Sequence, residues 1–123
     1  MINIKPLKAY TDNYIWLLET NEEVSVVDPG DAKPVLDYLS KTNKNLRDIF
    51  ITHHHFDHTA GVPELENIIS GSIYGPKNSY ELINEKVTQG DTLSSLGIKF
   101  EIIEVPGHTL DHIAFYNLSL IHI

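Results

Sequence analysis

The chain has 123 residues, of which 41% are hydrophobic, and a formal net charge of −8 at pH 7. This length suffices for one modest core, and no apolar run approaches the ~18 residues that a membrane-spanning helix needs. The negative charge opposes binding to nucleic acid, and the absence of cysteine excludes disulfides, thiolate metal sites and cysteine nucleophiles. We therefore expect one domain without a membrane or nucleic-acid partner, in which any metal is held by His, Asp or Glu.

The chain begins with a predicted β-meander. In residues 2–7 and 14–18, apolar side chains recur with the two-residue period of strands, and "TNEEVSVVD" is predicted to be a turn that leads into a third strand ending at Asp28. The opening residues lack the charged and then apolar pattern of a secretory signal, so we expect a cytoplasmic protein.

The middle and end of the chain alternate between predicted helices and strands. "VLDYLSKTN" is predicted to be an amphipathic helix, since Val35, Leu36 and Leu39 share one helical face. "LRDIFIT" is typical of a buried strand, "GVPELENIIS" has helical apolar spacing, and "KNSYELI" is predicted to be a weak helix. "SIYG", "GIKFEIIEV" and "HIAFYNL" are predicted strands. This alternation indicates an α/β sandwich.

Four histidines and an aspartate lie within "THHHFDH", directly after the predicted buried strand. His53 and His55 are separated by one residue, so an extended backbone directs both side chains to the same side, where they can bind one ion. Asp57 and His58 follow where the chain turns into a helix, and they can face a second ion nearby. These nitrogen and oxygen donors suit zinc, iron or manganese. The loop is therefore predicted to serve two metals.

The alternative is a structural role, in which the histidines are solvated or hydrogen-bonded, and we prefer it for His54 and His122. For the spaced donors together it explains little, because crowded imidazoles and a carboxylate would lose solvation without compensation. His108 follows a predicted strand and a Pro-Gly break, and it is a candidate third ligand. Thr109 and His112 are predicted to support that loop by hydrogen bonds.

Three motifs together resemble the metallo-β-lactamase superfamily. They are residues 52–58 followed by Ala60 and Gly61, Asp28 in "VVDPG", and "PGHT" at 106–109. "AYTDNYIWLL" and "VPGHTLDHIAFY" are similar to one branch, the glyoxalase II enzymes or hydroxyacylglutathione hydrolases. The resemblance implies a metallo-β-lactamase-like αββα sandwich with two divalent metals, usually zinc and sometimes iron or manganese.

The resemblance also implies a reaction and its residues. A hydroxide held by the metals and positioned by Asp57 attacks the thioester of S-D-lactoylglutathione, and D-lactate and glutathione are released. Asp28 corresponds to an aspartate that supports the ligands from outside the metal shell. The implied ligands are His53, His55 and His108 for the first metal, and Asp57 and His58 for the second.

The family pattern continues beyond this chain to a bridging aspartate, a further histidine and a glutathione-binding region. We therefore expect residues 1–123 to be a single truncated domain, the N-terminal half to two-thirds of the sandwich, with one sheet lacking its partner. The chain alone is expected to have little or no activity. Alternative functions are another enzyme of the superfamily, such as a glutathione persulfide dioxygenase or a lactonase, and a non-catalytic metal-binding fragment.

Overall fold

A computed structural model describes residues 3–9, 13–53, 56–77, 80–105 and 113–117. Within these ranges no helix is long and apolar enough to cross a membrane. The helices are α1 (Ala32–Thr42), α2 (Phe56–Thr59) and α3 (Val62–Leu65), and a 3-10 turn spans Glu66–Ile68. The strands are β1 (Asn3–Ala9), β2 (Asn13–Glu19), β3 (Glu23–Val27), β4 (Asn45–Phe50), β5 (Ile73–Pro76), β6 (Glu85–Val87), β7 (Thr92–Ser95), β8 (Ile98–Glu104) and β9 (Ile113–Tyr116).

The described strands form two sheets. A six-stranded sheet has the order β1-β2-β3-β4-β5-β6, and a three-stranded sheet has the order β7-β8-β9. Strands β1 to β3 pair antiparallel, which confirms the predicted meander. From β3 to β6 the pairing is parallel, and α1 makes the connection from β3 to β4. Because β3 and β4 are parallel, their carboxyl ends, at Val27 and Phe50, meet at the same edge of the sheet.

The six-stranded sheet is covered on both faces. One face packs against α1 and α3 through a cluster that includes Leu17 and Val35. The other packs against the three-stranded sheet, where the ring centroid of Phe50 lies 5.5 Å from that of Phe100 and 4.8 Å from that of Phe115. This arrangement provides the helix, sheet and sheet layers of the predicted sandwich. The expectation that one sheet would lack its partner was wrong, because β7–β9 cover it.

Helix α1 confirms the predicted amphipathic helix but corrects its buried face. The helix begins after Asp31, whose carboxylate accepts a hydrogen bond from the backbone N–H two residues further on. Val35 is fully buried, and Tyr38 and Leu39 pack beside it. Leu36 is 37% exposed, so its predicted place on the buried face was wrong. Residues three and four positions after Val35 share its helical face, whereas Leu36, the residue directly after it, lies about 100° around the helix.

Other elements differ from the predictions in length or type. The helix predicted in "GVPELENIIS" is a four-residue helix followed by a 3-10 turn, and Ile68 is 46% exposed. In place of the weak helix predicted in "KNSYELI", the described residues form a turn in which the Ile83 N–H donates to the Tyr80 carbonyl at 3.2 Å. Strands β6 and β7 were not predicted, because each has a single apolar side chain, Val87 and Leu93, and so shows no apolar period.

A buried carboxylate links β2 to α1. Glu19 is 2% exposed and accepts hydrogen bonds from Lys5 and Lys44, each at 2.9 Å, and from the Tyr38 hydroxyl. Burial raises the pKa of Glu19, but the hydrogen bonds from Tyr38, Lys5 and Lys44 outweigh it and lower the pKa to about 2. The ionised carboxylate therefore stabilises the junction of the meander with the first helix.

We predict that Glu19 makes stability depend on pH. Because its folded pKa of about 2 lies below the ordinary value of 4.5, the unfolded chain binds the proton more tightly. The stabilisation, about 3 kcal/mol at most, is complete above pH 4.5 and is lost as pH falls towards 2. Urea unfolding across this range should show a weaker pH dependence for Glu19→Gln than for wild type, with the exposed Glu22→Gln as the control. Equal pH dependence in wild type and Glu19→Gln would contradict the assignment.

A second buried carboxylate joins the two sheets. Asp48 of β4 is 2% exposed and lies between the sheets. The hydroxyl of Ser95 on β7 donates to Asp48 Oδ2 at 2.5 Å, and the Ser72 N–H donates to Oδ1 at 2.8 Å. Ser25 Oγ on β3 lies 2.9 Å from Ser95 Oγ and accepts from the Asp48 N–H at 3.2 Å. The network fixes the register of the small sheet on the large one.

Asp48→Ala should destabilise the chain by about 2–3 kcal/mol, because the Ser95 hydroxyl and the Ser72 N–H lose their carboxylate acceptor. The midpoint of urea denaturation measures this loss. Asp37→Ala removes an exposed carboxylate and serves as the control. An equal loss in the two variants would show that the buried network adds nothing.

Candidate metal centre

Three side chains with metal-ligating atoms converge at the common edge of β3 and β4. Asp28 directly follows β3, His53 lies three residues beyond β4, and His58 belongs to α2. One ligand atom from each lies within 4.8 Å of the others. The parallel pairing explains this convergence, since it brings residue 28 and the loop after residue 50 to the same end of the sheet. The predicted placement in a strand-to-helix loop holds for His53, which lies between β4 and α2, whereas His58 belongs to α2 itself.

The carboxylate of Asp28 organises this cluster. Asp28 Oδ1 accepts from the backbone N–H of Thr52 at 2.8 Å, and Oδ2 accepts from the Thr52 hydroxyl at 2.5 Å. His58 Nδ1 lies 3.2 Å from Oδ2. Asp28 adopts the left-handed backbone conformation, with φ 51°, which aspartate tolerates better than most residues. Its own N–H donates to the Phe50 carbonyl at 2.8 Å, so the strained residue is held by β4.

The two imidazoles lie next to each other, with ring centroids 4.3 Å apart. His53 is 3% exposed, and its Nδ1 lies 2.8 Å from the Thr52 hydroxyl. The side chain of His58 is 27% exposed, so the cluster is open to solvent on that side. Imidazoles are donors that divalent transition metals prefer, and a carboxylate that accepts from a ring N–H orients the imidazole from outside the metal shell. The residues present therefore fit a divalent cation.

The structure describes some of the predicted site residues and not others. It brings Asp28, His53 and His58 together. Asp57 lies in α2 by its backbone. Sequence reasoning assigned Thr52 no role of its own, although it begins the histidine motif and contacts both Asp28 and His53. The sequence feature that could have identified Thr52 is its position two residues after the end of the buried strand β4. Four other predicted residues lie outside the described part of the chain: His55, His108, Thr109 and His112.

A sequence profile of the metallo-beta-lactamase superfamily matches residues 11–119. The chain belongs to this superfamily. The site follows from that membership together with the cluster of Asp28, His53 and His58: this metallo-beta-lactamase domain carries a candidate centre for a divalent metal.

Curated relatives confirm the predicted resemblance to one branch. The chain is 49% identical over 127 residues to a hydroxyacylglutathione hydrolase of Pseudoalteromonas translucida, a match that covers 98% of this chain and 48% of the relative. It is 47% identical over 119 residues to a hydroxyacylglutathione hydrolase of Chromohalobacter salexigens, covering 94% of this chain and 47% of that protein. The chain thus spans about half the length of the curated relatives it matches.

Solved structures confirm the predicted fold. The B3 metallo-beta-lactamase BLEG-1 superimposes with a TM-score of 0.83 at 18% identity, covering 95% of this chain and 68% of that one. ETHE1 from Myxococcus xanthus gives a TM-score of 0.75 at 24% identity, covering 94% of this chain and 53% of the other. At these identities the likeness establishes the metallo-beta-lactamase fold and no particular substrate.

Gly61 holds the two loops of this superfamily site together. Its N–H donates to the Pro29 carbonyl at 2.9 Å, next to Asp28. A Cβ at position 61 would lie 2.5 Å from the Pro29 oxygen and 2.6 Å from the Ala32 nitrogen, both of which are backbone atoms. Only glycine allows the segment after His58 to approach the loop after β3 so closely.

Gly61→Ala should separate the two loops and weaken zinc binding about 10-fold or more, because Asp28 would no longer orient His58. Competition with a chromophoric chelator measures the affinity. Gly75→Ala is the control, since the added Cβ would meet the side chains of Ile83 and Ile51 and no atom of the loop after β3. If both variants bind zinc as wild type does, the close approach of the loops does not shape the site.

Proposed function

We propose that the protein to which this chain belongs is a metal-dependent hydroxyacylglutathione hydrolase, which converts S-D-lactoylglutathione and water to D-lactate and glutathione. The observation that carries the proposal is the 42–49% identity to curated hydroxyacylglutathione hydrolases across 94–98% of this chain. Such identity reaches well beyond the ligand motif that the superfamily shares. The cytoplasmic location expected from the sequence remains a prediction.

The proposed cofactor is a pair of divalent metals, zinc above iron or manganese. His53 would hold the first metal with His55 and His108, and His58 would hold the second with Asp57. Support comes from the convergence of His53 and His58, whose ring centroids lie 4.3 Å apart. Two metals held by adjacent imidazoles would be close neighbours, as in two-metal hydrolytic sites. Asp28 would orient the ligands from outside, in agreement with its three hydrogen-bond contacts.

When bound, the metals would act as a Lewis acid on the thioester carbonyl and lower the pKa of bound water. The chain's own residues would prepare this chemistry. The Asp28 carboxylate lies 3.2 Å from His58 Nδ1, where an Nδ1–H would donate to it and fix the ring. The burial of His53 would keep its imidazole away from competing water. With no cysteine in the chain, a thiol nucleophile from these residues is excluded.

Zinc affinity tests the assignment of the ligands. His53→Ala and His58→Ala should each weaken zinc binding by at least about 10-fold, since even residues that only support a ligand contribute that much. His54→Ala is the matched control, because His54 is the predicted bystander in the same loop. Chelator competition and the visible spectrum of the cobalt-substituted chain provide the measurements. A loss in the control equal to that in His53→Ala would contradict the assignment.

A chimera tests the reaction. Residues 1–123 would replace the matching half of the Pseudoalteromonas translucida hydrolase, which is 49% identical over this region. The chimera should hydrolyse S-D-lactoylglutathione, keep that activity with His54→Ala and lose at least about 100-fold with His53→Ala. The isolated zinc-loaded chain should be slow or inactive.

A folded, zinc-loaded chimera without thioester hydrolysis would contradict the proposed function. Lactone hydrolysis, or oxygen consumption with glutathione persulfide after iron loading, would favour another branch of the superfamily. Turnover of the isolated chain equal to that of the intact relative would show that residues 1–123 form a complete site.

A further inference from the structure

One hydroxyl group stands between the carboxylate and the more buried imidazole of the cluster. Thr52 Oγ1 lies 2.5 Å from Asp28 Oδ2 and 2.8 Å from His53 Nδ1. All three residues are buried, with exposures of 5% for Thr52, 8% for Asp28 and 3% for His53. In such a dry environment each hydrogen bond needs a definite donor and acceptor.

The direction of this chain of hydrogen bonds follows from counting protons. An ionised carboxylate can only accept, so the single hydroxyl proton of Thr52 points to Asp28. With its proton committed, Thr52 Oγ1 can only accept from His53, and Nδ1 of His53 must therefore carry a hydrogen. In the neutral ring the unprotonated nitrogen is then Nε2.

We propose that Thr52 is a positioning residue that sets the tautomer of His53, so that this histidine binds metal through Nε2. The inference rests on the proposed function, because it assigns His53 a metal. Thr52 itself touches neither metal nor substrate in this scheme. Its hydroxyl donates to the Asp28 carboxylate and accepts from the Nδ1–H of His53, so it links the two groups by hydrogen bonds.

The same carboxylate gives His58 the same tautomer. His58 Nδ1 lies 3.2 Å from Asp28 Oδ2, and an N–H at that position donates directly to the carboxylate. Asp28 thus acts on His58 by direct contact and on His53 through Thr52. Both rings would bind metal through Nε2, although the two histidines lie at different distances from the carboxylate. A single anion therefore prepares two ligands.

Replacing the hydroxyl tests the inference with two measurements. Thr52→Val keeps the shape of the side chain but removes the hydroxyl, whereas Thr52→Ser retains it. In the metal-free chain, ¹⁵N spectra of ring-labelled histidine should show His53 protonated at Nδ1 in wild type and Thr52→Ser, and a mixture of tautomers in Thr52→Val. Zinc affinity should fall about 10- to 100-fold in Thr52→Val and recover in Thr52→Ser.

Ser25→Ala is the control, since it removes an equally buried hydroxyl from β3, away from the cluster. It should change neither the tautomer nor the zinc affinity, even if it lowers stability. An unchanged His53 tautomer in Thr52→Val would overturn the inference, whether zinc affinity falls or not.

The inference and the proposed function can fail separately. If wild type binds zinc and Thr52→Val keeps its tautomer, Thr52 is only structural and the metal site stands. If wild type binds no zinc, the proposed function of the cluster fails, and so does the claim that the tautomer serves a metal. The ¹⁵N spectra of the metal-free chain then still show whether Thr52 sets the tautomer of His53.

Discussion

The candidate site depends on the carboxylate of Asp28, because this one group ties together three segments of the chain. Thr52 donates to both of its oxygens from the loop after β4, and His58 approaches from α2. Asp28 can reach them because β3 and β4 pair in parallel, with Val27 beside Phe50. The connection through α1 makes that parallel pairing possible. The loop that carries the candidate ligand His53 is thus shaped by a residue more than twenty positions earlier in the sequence.

Among the side chains that the structure describes, three carboxylates are buried, those of Glu19, Asp28 and Asp48, and their partners differ in a way that matters for function. Glu19 is paired with two lysines and a tyrosine, so its charge is compensated locally. Asp48 is held by hydroxyl and amide donors between the sheets. The hydrogen-bond partners of Asp28 include a hydroxyl, an amide and an imidazole, none of which carries a fixed positive charge. A negative charge in this position favours a cation nearby.

The sequence predicted the parts of the fold that have a local signal. The alternation of the first strands, the apolar run of β4 and the crowded donors at 53–58 each identified their element or loop. The parts it missed depend on tertiary packing. Leu36 is exposed because α1 presents Val35, Tyr38 and Leu39 to the sheet. Strand β7 has no clear signal of its own in the sequence, and the hydrogen bond from Ser95 to Asp48 links it to the large sheet. The role of Thr52 required knowing that residue 28 lies beside it.

The second sheet also contributes to the candidate site, because β9 begins beside Thr52 in the loop after β4. The Ile113 N–H donates to the Thr52 carbonyl at 2.9 Å, so Thr52 is held by its backbone from one side and by Asp28 from the other. Residues 106–112, which include the predicted ligand His108, directly precede this anchored strand in the sequence. Packing of Phe115 against Phe50 fixes β9 on β4. The core between the sheets and the hydrogen bonds at their edge therefore position the same residue, Thr52, next to the first histidine of the motif.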